Sequence, residues 1–277
     1  MAWLLTGQGA QYAGMGRELY ATSPAFRRGW EACATLLEEA LEDRLSCIWE
    51  DTPASRQRLS DTLWTQAGTL AVQWGLAELW RSWGVRPQVV LGHSAGEVAC
   101  AALAGVLSLE DAVRLLVARA RLLGELPAGG MLAVAARRAE VEQVLAELGD
   151  AQLALAADNA PQAVVVSGPV ESLKRFSQRC EQATWSVQPL AVAGAFHSPA
   201  VAAAAEQLAA ISARLTHRPA QVAWQLAAGG RLEVGQTLPA DYWARQLRGC
   251  VEFRAGLASL AAAGVNAYLE LGPGRTL

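Results

Sequence analysis

Histidine is scarce in this chain of 277 residues, which holds only three, and its five cysteines are scattered with no C-x-x-C pair among them. Metal sites need such ligands at close, regular spacing, so a structural metal is not expected. Odd in number and far apart, Cys33, Cys47, Cys100, Cys180 and Cys250 read instead as reduced, packed thiols of a cytoplasmic protein. There is no run of about 18 uncharged apolar residues for a membrane span. The N-terminus has neither the basic start nor the apolar stretch of a signal peptide. Basic stripes are missing too, and with a net charge of −3 the chain is not expected to bind nucleic acid. Apolar residues are abundant, 52% against 18% charged, the balance of a globular protein with a large core.

Hydrophobic periodicity and turn residues give an α/β order. A short strand at 3–5 enters a glycine loop at 6–11, and helical patterns follow at 24–41 and 66–83. A strand at 88–92 leads into a turn and a helix, and Ser108 caps a helix running to about residue 124. From Gly129 and Gly130 the rhythm changes to strand 131–135, helix 138–148, strands 153–157 and 163–166, helix 170–181 and strand 185–190. That β-α-β-β-α-β order is the ferredoxin-like unit. Helix and strand patterns resume at 199–215, 221–226, 251–263 and 267–271. The expected organisation is therefore a large α/β unit, 1–127 with 194–277, carrying the small unit 128–193 as an insertion. The cleft between the two is the expected site.

Within strand 88–92 and the turn after it, Gly92-His93-Ser94-Ala95-Gly96 has the strand–turn–helix setting of a nucleophile elbow, G-x-S-x-G. The alternative is a plain βα turn with Ser94 as a helix cap. A serine nucleophile needs a base, usually histidine. His93 adjoins Ser94, but the elbow should aim its ring away, and His217 sits in a polar Thr-His-Arg-Pro connector. His197, where the chain returns to the large unit, is left as the base; otherwise it caps the next helix. Asp150 and Asp158 are formal candidates for a third, acidic member. Both read as solvated turn residues, so a backbone carbonyl is the expected orienter of His197. On the helix that starts after Ser108, Ala112, Leu115, Leu116, Leu122 and Leu123 form one apolar stripe with Arg119 in its middle. A buried arginine needs an anion, either an internal carboxylate or the carboxylate of a substrate.

Further motifs stand in order along the chain: Gly7-Gln8-Gly9-Ala10-Gln11, Trp64-Thr65-Gln66, Asn159-Ala160-Pro161, Ala195-Phe196-His197-Ser198, Tyr242-Trp243 with Gln246-Leu247-Arg248, and Glu270-Leu271-Gly272-Pro273-Gly274. With the elbow and Arg119 they make the chain resemble the malonyl-CoA:acyl carrier protein transacylases, and more closely the acyltransferase domains of modular polyketide synthases. The resemblance implies a hydrolase-like α/β core with a parallel sheet and an inserted ferredoxin-like small subdomain. It implies that Ser94 and His197 are catalytic, that Arg119 clamps a substrate carboxylate, and that Gln66, His93 and Phe196 also line the substrate site. The backbone amides of Gln11 and Ala95 would form the oxyanion hole, and the Gln246 carbonyl would orient His197. No cofactor is implied beyond malonyl-CoA as donor and the phosphopantetheine of an acyl carrier protein as acceptor, with a ketosynthase domain as neighbour. Ala95 is smaller than the branched residue common there, and Gly194 replaces the first histidine of a His-Ala-Phe-His pattern. Phe196 in that pattern goes with malonyl rather than methylmalonyl. Since the chain stops just after Gly272-Pro273-Gly274, it reads as an excised domain or a variant without a tail. An acyl-thioester hydrolase and a catalytically silent docking domain are the competing functions.

Overall fold

The four residues Ala2–Leu5 (β1) are all apolar and all buried, which suits a strand covered on both faces. In the computed structural model, which describes residues 1–192 and 194–277, β1 lies inside a five-stranded sheet. Four helices follow it: α1 (Arg17–Thr22), α2 (Pro24–Leu41), α3 (Pro53–Arg58) and α4 (Thr62–Ser82). Ser23 starts α2 by accepting the Phe26 amide, with Pro24 in the first turn, and Asp61 starts α4 by accepting the amides of Leu63 and Trp64. Buried in α4, Gln73 donates to the carbonyl of Thr6 at 2.7 Å and so pins the loop leaving β1. Then come β2 (Val89–Gly92), α5 (Gly96–Leu103) and α6 (Leu109–Gly124), the last capped by Ser108 as its sequence demands.

A second, antiparallel sheet is built from β3 (Gly130–Val134), β4 (Ala154–Ala160), β5 (Ala163–Gly168) and β6 (Val187–Pro189), with α7 (Arg138–Leu148) and α8 (Val170–Gln182) between strands. Its order, β4-β5-β3-β6, is that of the split β-α-β unit. Leu173, Phe176 and Cys180, at helical spacing on α8, close its separate core with Val141 of α7. The chain ends with α9 (Ala202–Ser212), β7 (Ala223–Gln225), β8 (Arg231–Leu232), α10 (Tyr242–Arg248), α11 (Phe253–Ala262) and β9 (Tyr268–Leu271). The larger sheet runs β8-β7-β2-β1-β9 and is parallel except for β8. The fold is thus α/β, a parallel sheet with a separate antiparallel one.

Some expectations need correcting. Strand 153–157 continues to Ala160, and strand 185–190 shrinks to three residues. Helices α1, α3 and α10, of six or seven residues, are too short to display a 3.6-residue stripe and were not foreseen. The expected end of the small unit, residue 193, falls outside the described residues. Asp158 is no solvated turn residue. It lies inside β4 at 1% exposure, and Arg254 grips both its oxygens at 2.9 and 2.8 Å. Beside it the amide of Asp158 donates to Val251, and the amide of Val251 to Ala156, so β4 is stitched to the segment joining α10 and α11.

Candidate active site

Between Gly92, which ends β2, and Gly96, which starts α5, the chain has room for only three residues to reverse direction. A Cβ at Gly92 would lie 2.5 Å from the Glu97 amide, and one at Gly96 would run into the carbonyl of Leu5. The same tightness drives Ser94 to a φ of +51°, a left-handed conformation that a non-glycine residue adopts only under constraint. The amide of Ala95, just ahead of α5, is among those a helix cannot pair internally.

His197 is held the same way, at φ +55° and 3% exposure. It does not cap the following helical turn; Ser198 does, accepting the Ala200 amide at 3.2 Å while donating to Ala195. His197 Nε2 lies 2.7 Å from Ser94 Oγ, and Nδ1 lies 3.0 Å from the carbonyl oxygen of Gly249. The backbone carbonyl at hydrogen-bond distance from Nδ1 is that of Gly249, not that of Gln246. Helix α10 stops at Arg248 and the backbone turns extended at Gly249, which swings that carbonyl onto the ring. The Gln246 carbonyl has a weaker pull in the same direction, and the Gln246 side chain donates to the Ser94 carbonyl at 2.9 Å. With Nδ1–H donated to a carbonyl, the Nε2 lone pair faces the serine hydroxyl and can take its proton.

Arg119 is 2% exposed on α6. Its Nη2 donates to Ser94 Oγ at 3.0 Å, and its buried Nε has no hydrogen-bond partner. Burial lowers its pKa to about 10, and the charge of Glu97 opposes this through space. Among the described residues no carboxylate forms an ion pair with it. Burial first, then the neighbouring Arg119 charge, then His93 hold the pKa of His197 below the ordinary imidazole value; the Gly249 and Gln246 carbonyls oppose them. His197 is therefore neutral at pH 7.

A cavity of about 640 Å³ opens above Ser94 and His197, walled by Gly7–Ala10, by His93, Ser94, Phe196 and His197, by Met131, Ala133 and Val165 of the antiparallel sheet, and by Val251, Phe253 and Leu257; Arg119 touches Ser94 but is not itself part of the wall. The His93 ring turns from Ser94 to Asn159 on β4, 2.8 Å away, and packs on Phe253. Gln66 is buried and reaches the wall only through Gln8, at 3.5 Å. Gln11 is half-buried, its side chain accepting the Gly9 amide at 2.7 Å, and does not itself wall the cavity. His217 is remote, half-buried and bonded to Ser212. Had residue 194 a Cβ, it would stand 2.6 Å from the Phe196 ring, so the glycine makes room for that ring.

Glu97 was not foreseen. Its carboxylate accepts from Trp224 Nε1 and the Ala227 amide, each at 3.0 Å, and from the Tyr242 hydroxyl. Burial nevertheless raises its pKa to about 7. It ties the elbow to the start of α10, whose far end orients His197. A lone acid heading the apolar run Val98–Leu103 was the available signal. Tyr242→Phe removes one donor to a buried carboxylate and should cost about 1.5–3 kcal/mol of stability. Urea unfolding checks this; an unchanged midpoint would show that the bond carries no weight.

A family model described as "Acyl transferase domain" matches residues 2–277. Erythronolide synthase EryA2 of Saccharopolyspora erythraea is 39% identical over 274 residues, 99% of this chain; the chain spans only 8% of that synthase's length. The acyltransferase domain from the second module of the salinomycin polyketide synthase superposes with a TM-score of 0.90 at 37% identity, over 99% of this chain and 63% of that one. The acyl transferase domain of SpnD, solved in complex with 2-(pent-4-yn-1-yl)malonyl, gives 0.89 at 30% identity, over 99% and 65%. Matched in sequence and backbone from the first strand onward, this chain belongs to the acyl transferase domain family of the polyketide synthases.

Proposed function

We propose that the chain transfers a malonyl unit from CoA to the phosphopantetheine thiol of an acyl carrier protein through an acyl-Ser94 intermediate. Ser94 Oγ attacks the thioester carbonyl as its proton passes to His197 Nε2. The tetrahedral oxyanion is received by backbone amides, that of Ala95 and one from the loop after β1, for which Gln11 is the candidate. The C–S bond breaks and CoA departs as the thiol, carrying the proton from His197. The carrier thiol then attacks the acyl-serine, with His197 again as base and Ser94 regaining its proton. Gly249 keeps the imidazole in the productive tautomer throughout.

The observation that carries this reading is Arg119. A buried guanidinium beside the nucleophile, with an empty Nε and no carboxylate partner among the described residues, suits a substrate that brings its own carboxylate. The substituted malonyl bound by the SpnD domain supports the same class of acyl group. We assign residues 1–127 with 194–277 to the large unit and 128–193 to the small one, with the cavity between them and a cytoplasmic synthase, ketosynthase included, as the setting. Mass spectrometry after incubation with malonyl-CoA tests the proposal. A persistent malonyl adduct on Ser94 that a carrier thiol discharges is expected. Rapid release of free malonate would make the chain a hydrolase, and no adduct would make it a silent docking domain.

To Phe196, which walls the cavity beside His197, we assign the role of filling the space an α-methyl branch would need. One methyl is worth about 1–3 kcal/mol, so malonyl-CoA should be preferred over methylmalonyl-CoA by roughly 10–200-fold. Phe196→Ser should narrow that gap by raising methylmalonyl transfer, read in a competition of the two esters. A wild-type preference for methylmalonyl would overturn the assignment; an unchanged ratio in the variant would place the wall elsewhere.

A further inference from the structure

We propose that Arg119 restrains Ser94 in the free protein, and that a carboxylate entering the site releases the serine and readies His197, so that the substrate's own acid group switches the nucleophile on. This rests on Arg119 being the carboxylate clamp. Ser94 Oγ is shared between two neighbours, His197 Nε2 at 2.7 Å and Arg119 Nη2 at 3.0 Å. The hydroxyl proton points to the histidine, so the oxygen must accept from the guanidinium, and one of its lone pairs is occupied by a cation. Nε and Nη2 form one edge of the guanidinium fork, and Nε is buried and empty. A carboxylate that grips this edge with both oxygens fills Nε and draws Nη2 away from Ser94.

The same event changes the field at His197. The groups that bear on the ring are Arg119 from α6, His93 from the elbow, and the carbonyls of Gly249 and Gln246 from α10. Glu97, on α5, bears on Arg119 and is committed to Trp224, Ala227 and Tyr242. Once a carboxylate neutralises Arg119, the imidazole loses a repelling cation and can accept the serine proton as the new C–O bond forms. A neutral acyl group leaves the restraint in place, so discrimination falls on the chemical step as well as on binding.

Acetyl-CoA and formate together carry the two halves of a malonyl ester, which allows the switch to be worked from outside. Formation of acetyl-Ser94 is followed by mass spectrometry, with tens of millimolar sodium formate against sodium chloride at equal ionic strength. Formate should accelerate acetylation roughly 5–150-fold, the usual range of coupling between two ligands, and move the acidic limb of the pH profile upward. Arg119→Ala should load acetyl faster than the formate-free wild type and should not respond to formate. Wild-type acetylation that formate leaves unchanged or slows would overturn the switch. So would an Arg119→Ala protein that still responds. Malonyl-CoA loading is measured in parallel: if malonyl loads while formate has no effect, only the switch fails, and if malonyl does not load, the donor assignment fails with it.

Discussion

Ser94→Ala should abolish the acyl-enzyme, cutting transfer by roughly a million-fold, while leaving the fold intact. The size of the loss follows from removing the nucleophile of a unit whose members act together. The fold survives because Cβ is unchanged and alanine enters the same tight turn without new bulk. Arg119 Nη2 and His197 Nε2 lose their shared partner, a cost of about 1–3 kcal/mol. At this chain length that lowers the melting temperature by only about 2–4 °C per kcal/mol. Intact-mass and peptide mapping after malonyl-CoA treatment check the chemistry, and circular dichroism checks the fold. An adduct on the variant, or one mapped to Cys100, would remove Ser94 from the mechanism. Cys100 is a poor substitute, since it is fully buried and burial holds its thiol well above the ordinary value.

Arg119→Ala is expected to invert selectivity rather than to lower all activity. Malonyl loading should fall by roughly 10²–10⁴, because one partner of a buried charge pair is lost, while acetyl loading rises. Equal losses for both esters would make Arg119 a structural residue. Stability carries a second signature through Glu97. Burial lifts that carboxyl from 4.5 to about 7 although the Arg119 charge pulls it down. An acid whose pKa is raised by folding binds more protons folded than unfolded, so stability declines as pH climbs from the unfolded value toward the folded one. In the wild type this decline runs through pH 7 and fades about one unit above it, and without Arg119 the folded value rises and the decline extends to higher pH. Urea midpoints of the variant that fall no more steeply between pH 7 and 8 than those of the wild type would show that Arg119 does not act on Glu97.

Local chemistry determined much of this protein in advance. Glycines at 92 and 96 around a serine, after an apolar run and before a helix former, allow little but a tight elbow, and the structure has one. Arg119 lay on an apolar stripe at helical spacing, which required it to be buried, and it is. The β-α-β-β-α-β rhythm was enough for the antiparallel sheet, because its two helices and three longer strands show their period, although β6 keeps only three residues. What tertiary structure decided has no local pattern. The carbonyl that faces His197 belongs to Gly249, and a backbone oxygen leaves no mark in a sequence. Asp158 read as solvated because it falls at the end of the expected strand 153–157; the arginine that grips it, Arg254, arrives 96 residues later. The donors to Glu97 stand 127, 130 and 145 residues away. Turn geometry and amphipathic period act over a few residues and can be read directly. The partner of a buried charge is chosen by which distant segments the core brings together, and only the folded chain specifies it.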